Sequence, residues 1–146
     1  MKTKQYENSF EKKRDDELSS YQDDYIELNF KGLKIYKYYF PLMKCKEIPI
    51  SKIKKANLIQ LTMLNGRLRL GGLTLNLIYF PFDLLRCCKT KAITIKAKNC
   101  SFTVGITPND PEKCFKVLKY LMAHDKNNKE LSPDNEKDSL KMKKNK

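Results

Sequence analysis

Apolar and polar side chains alternate with period two along much of this chain, and one later stretch switches to a helical period. Ile26, Leu28 and Phe30 alternate with Glu27, Asn29 and Lys31, the mark of a strand with one buried face. Gly32 turns the chain, residues 33–40 are rich in Tyr, Ile and Phe, and Pro41 ends the run; such side chains suit a pleated surface. A third strand is expected over 47–50, where Pro49 between Ile48 and Ile50 marks an edge or a bend. Residues 56–64 read as another strand, and Asn65-Gly66 is the strongest hairpin signal. Arg67 and Arg69 then share the polar face of an alternating segment. Gly71-Gly72 bends the ribbon before residues 73–80, with Leu73, Leu75 and Leu77 on one face. Ile93 and Ile95 alternate with Thr94 and Lys96, Lys98-Asn99 turns the chain, and Phe102, Val104 and Ile106 point inward.

One helix follows these roughly seven strands. Asp110 stands at the N-cap, Pro111 at the first helical position and Glu112 in the first turn, all favoured at a helix start. Cys114, Phe115, Leu118, Leu121 and Met122 form one apolar stripe, with Lys113, Lys116 and Lys119 off its centre. The stripe is read as packing surface against the sheet. The helix is expected to dissolve over Lys126-Asn127-Asn128. The fold class is therefore mainly β with one C-terminal α-helix.

Composition divides the 146 residues into three parts. Residues 1–24 carry 5 basic and 7 acidic side chains and few large aliphatics, and residues 126–146 carry 7 basic and 4 acidic. Neither can bury enough to offset its ordering entropy, so both are expected to be flexible charged tails, the first with room for a short helix near 11–18. Residues 25–125 form the single domain and hold 18 basic against 6 acidic residues, so the positive field belongs to the folded part.

The most apolar stretch, residues 73–85, is broken by Asn76, Pro81 and Asp83 and is shorter than the roughly 20 residues a membrane span takes. Residues 1–20 are charged throughout, unlike a secretory signal. A cytoplasmic protein, at most peripheral at the membrane, is expected. Cys45, Cys87, Cys88, Cys100 and Cys114 then read as reduced thiols. No Cys-x-x-Cys pair is present and His124 is the only histidine, so neither a metal nor another cofactor is expected.

Seven strands and a terminal helix, together with several local motifs, resemble the bacterial pleckstrin-homology-like (PH-like) family. The motifs are Leu33-Lys-Ile-Tyr-Lys-Tyr-Tyr-Phe-Pro41, Lys46-Glu-Ile-Pro-Ile-Ser-Lys-Ile53 and Gly71-Gly72. Tyr79-Phe-Pro-Phe-Asp-Leu-Leu-Arg86 follows, with its Asp83-x-x-Arg86, and then Ile106-Thr-Pro-Asn-Asp-Pro-Glu112 at the strand-to-helix corner. The resemblance spans about residues 25–124 and implies a seven-stranded antiparallel roll or barrel capped by the helix. This chain lacks the tryptophan many such proteins carry beside the glycine pair; Leu70 and Tyr79 would fill that volume. The family supplies no shared catalytic residues, so the resemblance bears on fold more than on function.

Catalysis finds little support. His124 sits at the end of the predicted helix, Asp110 and Glu112 are used in capping, and no phosphate-cradling glycine loop is present. Binding an anionic surface fits the charge better. Lys31, Lys34 and Lys37 fall in the first hairpin, where the PH-like resemblance implies contact with phosphoinositide headgroups. Arg67 and Arg69 could grip a phosphate bidentately. The bland alternative is a chain rich in lysine everywhere, its charges merely solvated. Further basic positions are Lys44, Lys46, Lys52, Lys54 and Lys55. Tyr36, Tyr38 and Tyr39 on a basic sheet leave single-stranded nucleic acid as an alternative ligand, although strand tyrosines are often core. Residues 58–64 and 77–82 are apolar on both faces, which fits either a covered central strand, the commoner case, or a homo-oligomer or other protein interface. The expectation is a non-enzymatic binding or adaptor module for anionic lipid headgroups or a protein partner, with Lys31, Lys34, Lys37, Arg67 and Arg69 as contacts.

Overall fold

A computed structural model describes residues 19–39, 41–63, 67, 71–98 and 100–130. The two expected tails beyond these, the helix near 11–18, the Asn65-Gly66 turn, Leu70 and Arg69 lie outside the described residues. The first sheet is an antiparallel meander of β1 (Tyr21–Gln22), β2 (Ile26–Asn29), β3 (Gly32–Tyr39) and β4 (Lys44–Pro49). Side-chain acceptors shape its early turns: Asp23 Oδ1 takes the N–H groups of Tyr25 and Ile26, and Asn29 Oδ1 that of Lys31. β1 lies before Tyr25, where the sequence reading opens the domain. Tyr21 is buried and its hydroxyl accepts the Asp110 N–H, which ties this strand to the helix start.

A 3-10 turn at Ile50–Lys52 leads into the second sheet, made of β5 (Ile53–Gln60), β6 (Gly72–Leu73), β7 (Ile78–Phe80), β8 (Lys91–Ala97) and β9 (Thr103–Ile106). Its order is β5-β8-β9-β7-β6, and β7 runs parallel to β9. The described residues thus hold nine strands in two sheets that do not close, where seven antiparallel strands in a roll or barrel are expected. Residues 81–90 carry the chain from β7 to β8 and leave a slot between the two, which β9 fills. Gly105 makes that fit: a Cβ there would run into the Phe80 ring on β7.

Three further expectations are corrected. The run 73–80 is no continuous strand, because Thr74 closes a turn, its carbonyl accepting the Leu77 N–H and its Oγ1 the Ile78 N–H. Leu75 and Leu77 are consequently exposed. Phe30 and Phe102 lie just outside their strands and are exposed as well, Phe30 against the His124 ring. Among the described residues β5 is an edge strand rather than a covered central one; its Lys54 and Lys55 are exposed, as befits an edge that avoids pairing.

The helix α1 (Pro111–Glu130) begins as expected, the Lys113 N–H donating to Asp110 Oδ1 at 2.9 Å. It runs past Lys126-Asn127-Asn128, which contain neither Gly nor Pro to stop it. Cys114, Val117, Leu118, Leu121 and Met122 are buried against residues of both sheets, including Ile26, Leu28, Ile35, Ile48, Ile93, Ile95 and Ile106. One helix face therefore joins the two sheets around the larger core, while Leu61, Phe80 and Ala92 form a smaller second cluster.

Candidate functional site

The described sequence-selected lysines spread along β3 and the turn before it. Lys31 stands in the turn before β3, while Lys37 stands near its other end, six residues on and roughly 20 Å away at strand rise. Lys34 lies between them, its ammonium 3.6 Å from Glu47 and over the Tyr36 ring. Lys31 and Lys34 share a cavity of about 240 Å³ with Glu27 and Glu47, two cations against two carboxylates. Lys37 adopts φ 50° where the β3–β4 register shifts. The bulge rotates its side chain outward and turns Tyr38 into the core. Arg67 donates from Nε to the Cys87 carbonyl at 3.1 Å, and Arg69 lies outside the described residues.

A different set of lysines does converge. Lys46 on β4, Lys52 in the 3-10 turn and Lys98 after β8 line a cavity of about 260 Å³ with Tyr39, Cys45, Glu47 and Cys100. Across Cys100 lies a second cavity of about 410 Å³, with Lys54, Lys96 and Phe102 on its wall and no carboxylate. Antiparallel pairing of β5 with β8 brings these residues together: Ile53 faces Ala97, and the Lys98 N–H donates to the Lys52 carbonyl at 2.8 Å. The lone carboxylate, Glu47, is already paired with Lys34. Lys46 Nζ sits 4.7 Å from the Tyr38 ring centre and makes a long hydrogen bond to the Tyr39 hydroxyl, so its head is held at the rim. Like charges so arranged repel one another, and an anion between them relieves the repulsion. Single-sequence reading named Lys46, Lys52 and Lys54 without joining them; the missing signal was the pairing of residues 53–60 with 91–97.

The tyrosines divide. Tyr38 is buried and packs on Tyr79, Tyr36 donates its hydroxyl to Glu27 at 3.0 Å, and Tyr39 alone borders the lysine groove. Tyr79 is partly buried against the core.

The Asp83-x-x-Arg86 pair is buried rather than presented to a ligand. Asp83 is 1 % exposed and accepts hydrogen bonds from Lys89 Nζ at 2.9 Å, Thr107 Oγ1 at 2.7 Å and the Leu85 N–H at 2.9 Å. Burial alone would push the carboxyl up; the bonds from Lys89 and Thr107, the Lys89 charge and the Leu85 amide outweigh it and hold the group below its ordinary value. The same carboxylate, added to burial, pushes the Tyr25 phenol up to about 12, and Lys89 lies over the Tyr25 ring. Arg86 donates to the Pro81 carbonyl and lies over the Phe80 ring; burial pushes its guanidinium down to about 10 despite the nearby Asp83 charge. The cluster latches residues 81–90 to the strand-to-helix corner.

Among the described residues no group of three or more His, Cys, Asp or Glu side chains could hold a metal ion, and no helix is long and apolar enough to cross a membrane. Comparison with protein-family models, curated proteins and solved structures finds no match to this chain.

Proposed function

We propose that this chain is a non-enzymatic, PH-like binding module that docks peripherally on an anionic membrane surface, using the lysine groove around Cys100 as its headgroup contact. One observation carries the reading: Lys46, Lys52, Lys98, Lys54 and Lys96 line two adjoining cavities whose only carboxylate is already paired. At about 1 kcal/mol per basic residue near an anionic leaflet, five lysines supply roughly 5 kcal/mol of attraction. The PH-like assignment rests on the sequence motifs, the two-sheet architecture and the capped C-terminal helix. Latched as it is, the Asp83 cluster serves the scaffold, which leaves the surface cations to serve recognition.

Co-sedimentation of the full chain with phosphatidylcholine vesicles, with and without phosphatidylserine, tests this reading. Binding should require the anionic lipid and fall at least tenfold in K52E/K98E, while K31E loses little because Lys31 lies outside the groove, in a cavity it shares with Glu27 and Glu47. Binding that ignores phosphatidylserine, or an equal loss in both variants, overturns the groove. Equal affinity for homopolymeric single-stranded RNA moves the function to nucleic acid. Binding that fades smoothly with salt at every headgroup composition assigns the attraction to the field of the domain and not to a pocket.

A further inference from the structure

The turn joining β3 to β4 carries exposed apolar side chains beside the lysine groove. Its Met43 N–H closes onto the Tyr39 carbonyl at 2.7 Å, and Met43 itself adopts φ 54°. Leu42 at the tip is 71 % exposed, and Met43 and Tyr39 are exposed too. Cations flank the tip: Lys37 before it, Lys44 directly after it and Lys46 in the stem, where its ammonium lies 5.5 Å from the exposed Tyr39 ring centre. Tyr39 belongs both to the turn and to the wall of the groove, so tip and groove are continuous. The segment after β7 meets the same end of β3, where the Phe82 N–H donates to the Lys37 carbonyl, and two residues later it carries the exposed Leu84 and Leu85.

We infer that this turn is a membrane wedge: Leu42 and Met43 enter the acyl region of an anionic bilayer while Lys37, Lys44 and Lys46 engage phosphates at the headgroup level. The inference rests on the membrane reading above and adds the docking end and the depth. Charge complementarity selects the occupant. An apolar point ringed by ammonium groups matches the layered polarity of an anionic interface, hydrocarbon within and phosphate around it, and long lysine side chains reach outward from such a point. A protein partner takes roughly 800 Å² from each side of a stable interface, far more than a few side chains at a hairpin tip provide.

The chain has no tryptophan, so one introduced indole is its sole tryptophan emitter. L42W places it on the tip. F30W places it at a comparably exposed site (Phe30 is 52 % exposed) beyond the opposite end of β3, beside Lys31. On phosphatidylcholine/phosphatidylserine vesicles L42W should shift to the blue and be quenched by brominated acyl chains, whereas F30W should do neither. The double variant L42N/M43N should retain its fold by circular dichroism and bind about tenfold or more weakly, in line with two apolar side chains left in water. Quenching of F30W but not L42W refutes the wedge and turns the molecule over, onto the Lys31 end. Vesicle binding with neither probe quenched refutes the wedge while leaving the surface reading intact. No vesicle binding by the parent chain overturns both.

Discussion

Replacing Lys89 by methionine should destabilise this protein by about 3 kcal/mol. The side chain keeps its length and apolar stem but loses the ammonium that meets Asp83 Oδ2 at 2.9 Å and also donates to the Thr107 carbonyl. Asp83 has a fully buried side chain, and removing one partner of such a pair typically costs about 3–5 kcal/mol because the remaining charge is stranded. The lower figure applies because Thr107, the Leu85 amide and the nearby Arg86 charge still support the carboxylate. Against a total stability of about 5–15 kcal/mol that loss is large. Urea unfolding followed by far-ultraviolet circular dichroism measures it, with D83N and K89M/D83N completing a double-mutant cycle. The double variant should regain a substantial part of the loss, since no charge is left buried. The pH dependence has a defined sign. Asp83 binds its proton less readily in the folded chain than in the unfolded one, so its contribution is complete above the unfolded value near pH ~4 and disappears as pH falls through the lower folded value. D83N should therefore lose less stability than the parent over that acid window. A K89M loss below about 1 kcal/mol, or a coupling near zero, would refute the latch.

Two further outcomes follow from the packing. Cys45, Cys87 and Cys88 are exposed while Cys114 is buried and its thiol is pushed up by burial; a chromogenic disulfide reagent should modify those three quickly in the native protein and Cys114 only after denaturant is added. In G105A the new methyl would overlap the Phe80 ring, so a loss of about 1–3 kcal/mol in the same urea assay is expected, partly restored by F80L. A neutral G105A would mean that β7 and β9 are packed less closely than the structure has them.

Much of the architecture was legible because it is local. Ile26 and Leu28 alternate into the core, Asp110 caps the helix through Lys113, and Cys114, Leu118, Leu121 and Met122 lie on one buried stripe. The errors arise where short-range polar bonds or long-range pairing override periodicity. Thr74 folds an apolar run into a turn, which strands Leu75 and Leu77 in solvent. The bulge at Lys37 turns Tyr38 into the core, where it offers no stacking surface. The candidate site was harder still. Lys46, Lys52 and Lys98 come from three elements that only the pairing of β5 with β8 brings together, and the neutralisation of Lys34 by Glu47 is a cross-strand event. In Asp83-x-x-Arg86 the spacing announces a conspicuous pair of charges; only packing reveals that both face inward.

The order of the second sheet constrains how the chain can be assembled. β9 is its middle member, yet it is the last of the described strands to leave a ribosome. A nascent chain can zip up the first meander from neighbouring hairpins as it emerges. Its second half must wait with β7 and β8 held apart, their facing edges unbonded, until residue 106 is delivered and α1 can seal both layers. That interval is when the growing polypeptide most needs a chaperone's shelter, and stalled products ending before residue 103 should be the species a quality-control protease removes first.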